Sequence, residues 1–571
     1  MSLLKKRFLI LFTLLAIALP IFLQLGGRGL NEPDEGRYSE MGREMLVTGD
    51  WLVPRLNGVP HYAKPPWIYW CIATSFKIFG LHEWAARLPT AVAALVTALT
   101  VFALGRRMAG GLAGLCSALV LVTSLLFFAC GRLITPDMML TAFITLAVYC
   151  FWRWRESGHA SRDGSPPRMG WLVGFYVAMG FGFFDKGPYG IIIPLAAVIP
   201  FLLWQKETAS LRKMGWIWGF LIVAAIALPW FIWMCRTNPD LYDFYLRGEI
   251  QARVTSGRGR FKPLWYFLAV LPLACWPWTV LLFPACARIQ KNAITRFLFC
   301  WWIVPFIIYS AVPSKLPTYI LPVLVPIALL IGIWMAQCLK QKESFPGWAA
   351  IATYFLLAVL PAALFRFSRP QADSIWLVWT AAVVFISPIF WLLTLRSSGW
   401  RLAGWFAMAF LLVQSILLEF PKMETGFGHN SSWRDLTLPL QGMDLVGVPI
   451  PTGLHPTGKK PEFTRAGPRV VMYEFYFRSS SFYLMRDKKE IVPLYGGDSI
   501  WENEKDKEAE AKPIRADLIE LLKGPEPVFV FTRPQYLKEL RDLTGMTLPL
   551  RLKVASGENQ VVLFSNREIG H

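Results

Sequence analysis

Residues 297–339 read FLFCWWIVPFIIYSAVPSKLPTYILPVLVPIALLIGIWMAQCL, and Lys315 is the only Asp, Glu, Lys or Arg among them. A helix needs about 20 apolar residues to cross the hydrocarbon of a bilayer. The run therefore divides at Pro313 to Pro317 into two crossings, 297–313 and 317–339, joined by a short connection that carries one cation. Outward from this stretch the pattern repeats. Apolar spans are expected at about 8–26, 86–105, 112–129, 136–152, 170–184, 188–205, 214–235 and 263–287, then again at about 347–365, 375–395 and 402–420, about thirteen in all. Lys5-Lys6-Arg7, Arg106-Arg107, Arg153 to Arg168, Lys206 to Lys213, Arg288 to Arg296, Lys340 with Lys342, and Arg396 to Arg401 lie in alternate connections. Short basic connections face the cytoplasm. The other connections, with Asp34, Glu35, Lys64, Asp137, Lys186, Arg253 and Lys315, then share the opposite face. An odd number of spans puts the amino terminus inside and the tail outside. Basic residues followed by an apolar run to Leu25, with no A-x-A-like site after it, predict an uncleaved signal anchor.

Composition agrees with this reading. Of the 571 residues 55% are apolar and 26 are Trp, and the net charge is +20. That charge is not a nucleic-acid footprint, which would need a basic stripe on a soluble domain. Residues 421–571 carry 21 basic and 20 acidic side chains, so nearly all of the excess lies in the apolar part of the chain. The nine cysteines fall between Cys71 and Cys338, mostly inside apolar spans, and no C-x-x-C spacing suggests zinc. They read as packing residues rather than a disulfide framework. The span interiors hold no Asp, Glu, Lys or Arg away from their end turns. This argues against a transporter or flippase, which keeps such groups near the midplane.

The expected domains are a membrane domain over 1–420 and a soluble α/β domain over 421–571. Within the first, an extracytoplasmic first loop covers 27–85 and a basic loop covers 236–262. Pro33 and the spacing of Tyr38, Met41, Met45 and Leu46 predict an amphipathic helix over 33–47 lying on the membrane, with a second piece over Pro65 to Phe79. In the tail, strand-like runs at 470–477, 528–531 and 560–564 alternate with helix-like ones at 514–522 and 536–543. The run 502–512 reads as a solvated charged face.

Asp34 and Glu35 open the first-loop helix, and Asp137 opens the fourth span. Acids are favoured in a first turn by the helix dipole, so capping alone explains each of them. Their shared side of the membrane makes a site the sharper reading. Lys64, Lys186, Lys315 and the loop with Arg253, Arg258, Arg260 and Lys262 bring cations to that side as well, singly ordinary headgroup anchors but together suited to a phosphate. No nucleotide-binding glycine loop, Ser-His-Asp set or metal-binding helix is present in the sequence.

These residues resemble a known family. Pro33-Asp34-Glu35, Arg37-Tyr38, Arg43-Glu44-Met45-Leu46, Gly49-Asp50-Trp51 and Pro54, followed by Lys64-Pro65, are similar to the first loop of polyprenyl-phosphate-dependent membrane glycosyltransferases of the GT-C fold. Gly131-Arg132 to Asp137, Asp185-Lys186-Gly187, Asn238-Pro239-Asp240 with Arg253, and above all Lys315-Leu316-Pro317-Thr318-Tyr319-Ile320-Leu321 resemble the branch of bacterial lipid A aminoarabinose transferases, relatives of the protein O-mannosyltransferases. The resemblance covers about residues 30–335. It implies an α-helical polytopic membrane enzyme with a catalytic carboxylate at Asp34, Glu35 beside it, and a second acid at Asp137. It also implies a donor-phosphate site at Lys64, Arg253 and Tyr319, with Arg260, Lys186 and Lys315 as further candidates. Family members commonly carry Glu before the first-loop Lys-Pro, and in some it holds a metal ion; here that residue is Ala63. A His often found three residues before the Pro of the later loop is here Arg260. No metal site and no required cofactor are assigned, with a divalent metal as the alternative.

The implied reaction moves a sugar, 4-amino-4-deoxy-L-arabinose, from undecaprenyl phosphate to lipid A phosphate on the periplasmic side of the bacterial inner membrane. The implied partners are the lipid-linked sugar, lipid A or another periplasmic acceptor, and membrane lipids; the protein is expected to be a monomer that binds no nucleic acid. The alternatives are the same donor with a protein or other glycan acceptor, and a lipid or sugar flippase.

Overall fold

The computed structural model describes residues 3–31, 34–56, 59–62, 64–160, 168–243, 245 and 261–341, together with Phe406, Ala409, Asp542 and five strands in the tail. The spans expected over 347–365, 375–395 and, but for Phe406 and Ala409, 402–420 lie outside the described residues. So do Ala63, Arg253, Arg258, Arg260, the run 502–512 and, except Asp542, the helix-like runs of the tail. The chain divides into two compact units, Met1–Leu25 with Arg87–Glu419, and Gly26–Ala86 with Phe420–His571.

In chain order the helices are α1 (Leu3–Phe22), α2 (Asp34–Thr48), α3 (Trp67–Phe79), α4 (Glu83–Ala109), α5 (Gly111–Val122), α6 (Leu125–Cys130), α7 (Pro136–Ala160) and α8 (Met169–Lys186). There follow α9 (Tyr189–Trp204), α10 (Thr208–Lys213), α11 (Trp216–Thr237), α12 (Asp240–Asp243), α13 (Tyr266–Ala274), α14 (Thr279–Arg288), α15 (Ala293–Ala311) and α16 (Leu324–Gln341), the last preceded by a 3-10 segment over Pro317–Val323. Among the described residues, four helical stretches are long and apolar enough to cross a membrane: α4, α11, α15 and Pro317–Gln341. The pair α13 and α14 makes a fifth if taken as one broken span.

The first unit is layered by apolarity. The most apolar window of Pro317–Gln341 is wholly buried, packed against α5, α14 and α15, so this helix lies inside the bundle. By contrast α11 is buried over only 28% of its window and exposes Ile217, Trp218 and Phe220. An apolar face of that kind would aggregate in water and is matched by a hydrocarbon solvent. The chain is a multi-pass membrane protein. Close approach inside the bundle relies on small residues. A Cβ on Gly332 would sit 2.3 Å from Ser117 N and 2.4 Å from its Oγ. Gly332→Ala is therefore expected to destabilise by about 1–3 kcal/mol despite the better helix propensity of Ala. A thermal unfolding midpoint in detergent equal to that of the unsubstituted protein would contradict this packing.

Two expected spans are not continuous. The span placed at 112–129 breaks at Thr123-Ser124 into α5 and α6, and the one placed at 263–287 breaks into α13 and α14, which meet at 97°. Breaking a helix frees backbone groups that lipid cannot satisfy. Here the two breaks satisfy each other. Leu125 N donates to Trp276 O at 2.9 Å, and Trp278 Nε1 donates to Thr123 Oγ1 at 2.9 Å. Thr279 Oγ1 donates back to Pro272 O. A reading by apolar length cannot see this, because Thr, Ser and Trp leave hydropathy high while supplying the polar atoms of the joint. The opposite difference occurs in α7, which runs eight residues beyond the expected 152. Its final turns keep Arg153 over the Trp171 ring at 4.2 Å and Arg155 in a bidentate pair with Glu207 at 3.0 and 2.5 Å.

In the second unit, the helix expected over 33–47 forms as α2, but it is not a surface helix. Its residues from Glu35 to Met45 are buried, except Arg37, which is partly exposed. Burial of so polar a sequence is possible because its charges are paired. Arg43 donates to both Glu40 oxygens at 2.9 and 2.8 Å, and Arg28 does the same to Glu35 at 2.9 and 3.3 Å. Helix α3 covers it, with Tyr38 stacked on Tyr69 at 5.6 Å and Gly42 against Ile72. A short hairpin, β1 (Arg55–Leu56) and β2 (Val59–Pro60), lies between the two helices in sequence. The tail strands β3 (Val446–Gly447), β4 (Arg469–Met472), β5 (Val528–Thr532), β6 (Leu550–Val554) and β7 (Val561–Ser565) form one mixed sheet in the order β3-β4-β5-β7-β6. Pairs β3-β4 and β4-β5 are parallel; β5-β7 and β6-β7 are antiparallel.

Candidate functional site

In the first unit, Asp137, Lys186, Thr318 and Tyr319 come together from three separate segments. Pro136 starts α7, and Thr135 Oγ1 caps it by accepting from Asp137 N at 3.1 Å. The capping residue thereby fixes Asp137 in the first turn. Lys186 is the last residue of α8. The helix stops because Gly187 adopts φ +78°, a conformation natural to glycine, and its N–H closes on Phe183 O at 2.6 Å. The 3-10 segment after Lys315-Leu316 carries Thr318 and Tyr319.

Lys186 Nζ donates to Asp137 Oδ1 and lies 4.4 Å from the centroid of the Tyr319 ring. Asp137 Oδ2 accepts from Thr135 Oγ1 and Thr318 Oγ1, each at 3.0 Å. Both side chains of the ion pair are only 9% exposed. A carboxylate with both oxygens occupied is a poor base. It fixes the lysine and ties three chain segments together, so its geometry is that of a positioning residue. A pair of stacked rings, Tyr189 and Tyr309 at 5.3 Å, adjoins it in sequence from α9 and α15.

Lys315 is buried, and its Nζ donates to Lys262 O at 3.1 Å. Around it the backbone of 261–262 pairs with 313–314, through a bridge between Phe261 and Ser314 and a bond from Lys262 N to Pro313 O at 3.1 Å. Burial pushes the Lys315 ammonium below the usual lysine range. Two further buried cations have structural roles. Arg87 Nη1 donates to Leu25 O at 3.0 Å, and Arg132 Nη1 donates to Pro20 O and Ile21 O at 3.1 and 3.0 Å, so both secure the end of the first helix and the residues after it.

In the second unit the adjacent acids separate sharply. Asp34 is 59% exposed and pairs with Arg37, whose guanidinium also covers the Tyr38 ring at 5.1 Å. Glu35 is 2% exposed, held by Arg28, and accepts from Asn31 N at 2.9 Å, which closes the entry to α2. Arg28 was not singled out in the sequence; an arginine seven residues before an acid gives no periodic signal. Lys64 is half-buried just before α3. Among the described residues, no three His, Cys, Asp or Glu side chains gather as metal ligands. The chemistry in both units is that of carboxylates and cations at helix ends.

Comparison with known proteins gives this arrangement a class. The family described as dolichyl-phosphate-mannose-protein mannosyltransferase matches residues 63–233. The crystal structure of ArnT from Cupriavidus metallidurans bound to undecaprenyl phosphate superposes with a TM-score of 0.74, over 98% of both chains, at 22% identity. The fold is thus that of the GT-C polyprenyl-phosphate glycosyltransferases. An undecaprenyl phosphate-alpha-4-amino-4-deoxy-L-arabinose arabinosyl transferase from Shewanella sediminis is 30% identical over 385 residues, 65% of this chain and 69% of the relative. Its namesake from Erwinia tasmaniensis is 32% identical over 369 residues, 62% of this chain and 66% of the relative. The chain belongs to this family of arabinosyl transferases, and the matched stretch spans about two thirds of the length of these relatives.

Proposed function

We propose that this chain transfers 4-amino-4-deoxy-L-arabinose from undecaprenyl phosphate to a phosphate of lipid A, at the periplasmic face of the bacterial inner membrane. About thirteen spans, with the tail forming a soluble α/β domain on the same face, complete the proposed architecture. The observation that carries the reading is the set of cations held at the ends of apolar helices in a chain that belongs to the arabinosyl transferase family. A long apolar donor lies in the bilayer while its phosphate meets lysine and arginine at headgroup level. Outside the cytoplasm there is no nucleotide sugar, so a lipid-linked donor is the available source.

In the reaction an acceptor oxygen bonds to C1 of the sugar, the bond from C1 to the donor phosphate oxygen breaks, and that oxygen keeps the electron pair. Negative charge grows on the leaving phosphate. Lys64, Arg253, Lys186 and Lys315, with Arg260 and Tyr319, are the groups assigned to it, because preorganised cations stabilise a charge that increases in the transition state. Asp34 is the carboxylate assigned to the reacting centre. A lipid A phosphate is already ionised near neutral pH, so Asp34 orients it or stabilises the cationic character of the sugar; with a hydroxyl acceptor it would be a general base. Asp137 positions Lys186, and Glu35 holds the entry to α2. Cations at the leaving phosphate take the place of a metal, and the protein works as a monomer.

The second reading keeps the donor and exchanges the acceptor for a protein or glycan hydroxyl. Mass spectrometry of lipid A from cells with and without the chain separates the two: the reading expects an aminoarabinose-bearing lipid A that disappears with the chain. For the donor site, Lys315→Ala and Lys64→Ala are each expected to raise the apparent KM for the lipid donor and to lower kcat, by roughly 10-fold or more in kcat/KM for a charge-assisted contact. Unchanged kinetics in the folded variants would remove the residue concerned from the donor site.

A further inference from the structure

Helix α15 runs from its Asn292 cap to Ala311, four residues before Lys315, and the Pro317–Gln341 stretch begins beside the same lysine. At the far ends of these helices, away from Lys315, the first unit carries a half-open concavity of about 300 Å³. The helix length, about 28 Å at 1.5 Å per residue, separates the two. Ala109, Gln290, Asn292, Gln337, Lys340 and Gln341 are the wall residues that matter.

The wall is rich in donors. Lys340 Nζ gives one hydrogen bond, to Ala109 O at 3.0 Å. An ammonium has three donors, so two are uncommitted among the described residues. Asn292 uses its Oδ1 to cap α15 at Thr295 N, which leaves its NH₂ group for another partner. Gln337 is the first polar side chain along α16, and its amide has no hydrogen bond among the described residues. No acidic residue is among the described wall residues. Exposed Arg106 and Arg107 precede Met108, and exposed Lys291 stands between Gln290 and Asn292. Among the described residues, Glu156 is the acid that meets these exposed cations, and it is taken by Arg107 and by Trp152 Nε1. The positive-inside bias accounts for the exposed cations but not for an amide-lined cavity beside them.

We propose that this cavity binds the phosphate of an anionic phospholipid headgroup. Several N–H donors, one lysine and no carboxylate call for a ligand with many acceptor oxygens and a negative charge, which is phosphate. The position at the helix ends puts the cavity at headgroup depth, and its volume suits a phosphate with a small alcohol such as glycerol. In the proposed topology this face is cytoplasmic, where basic pockets between helices meet anionic lipids.

The test uses the full chain, delipidated in detergent, with native mass spectrometry to count bound lipid as phosphatidylglycerol or phosphatidylcholine is titrated. Phosphatidylglycerol is expected to bind about five-fold more tightly than phosphatidylcholine for each cation it meets. Lys340→Gln is expected to bring phosphatidylglycerol down to the phosphatidylcholine level, and Gln337→Met to weaken it in the same direction, with sugar transfer in detergent unchanged. Equal binding of the two lipids, or a preference that survives both substitutions, would overturn the proposal. Inorganic phosphate is the third arm: if it displaces bound phosphatidylglycerol at equal concentration, the cavity serves a soluble phosphate compound and the lipid assignment fails.

Discussion

Asp34→Asn is expected to lower sugar transfer by at least about 10²-fold while the protein folds and binds its donor. The structural cost of this change is small for identifiable reasons. Asn caps a helix about as well as Asp, the lost dipole interaction is worth about 1 kcal/mol or less, and the pair with Arg37 is exposed to solvent. What the substitution removes is a negative charge and most of the basicity. Glu35, adjacent in sequence, is not a neutral control, because it is buried against Arg28 and the Asn31 backbone. Glu35→Gln is expected to lower stability. The control is Arg37→Gln, which removes the partner of Asp34 and keeps the carboxylate. Near-normal transfer by Asp34→Asn, measured with a synthetic polyprenyl-phosphate donor, would take Asp34 out of the reaction.

The second large effect concerns the pair of Asp137 and Lys186. Lys186→Met leaves a carboxylate buried with only hydroxyl partners, and removing one member of a buried pair costs about 3–5 kcal/mol. Lys186→Met with Asp137→Asn removes both charges, so most of that stability should return. Activity then separates two roles. If Lys186 also meets the donor phosphate, the double variant recovers its unfolding midpoint but not its kcat/KM. If the pair is only a latch between α7, α8 and the 3-10 segment, both recover together. Loss of midpoint in the double variant equal to that in Lys186→Met would contradict the electrostatic account of the pair.

How much of this was legible in the sequence follows the physics of each element. Long apolar runs such as the one ending at Gln341 announce membrane helices because hydrocarbon demands them. Their breaks were not legible: Thr123 and Trp278 look unremarkable in a hydropathy scan, yet they join the two interruptions. Helix α2 was readable as a helix, but its burial was not legible, since burial of its charges depends on the ion pairs of Glu35 with Arg28 and Glu40 with Arg43. In the tail, 528–531 and 560–564 fall on β5 and β7 to within a residue, as runs of β-branched and aromatic residues should. Strand β6 was not among the expected strands, although Leu550-Arg551-Leu552-Lys553-Val554 alternates with period two.

The candidate site divides in the same way. The residue types at Asp137, Lys186 and Tyr319 were visible, and their meeting within the first unit was not derivable from spacing. Of the two threonines around Asp137, Thr318 lies in the Lys315 to Leu321 block that carried the resemblance, and Thr135, which caps α7, lies in the stretch from Gly131 to Asp137.

The measurement that bears most directly on the proposed reaction is transfer in a defined membrane. The purified chain is placed in liposomes with synthetic undecaprenyl-phosphate-linked aminoarabinose and lipid A, and the lipids are analysed by mass spectrometry. The account expects lipid A bearing one added aminoarabinose and an equal yield of undecaprenyl phosphate. Donor that crosses the bilayer intact, or is consumed while lipid A stays unmodified, would contradict it.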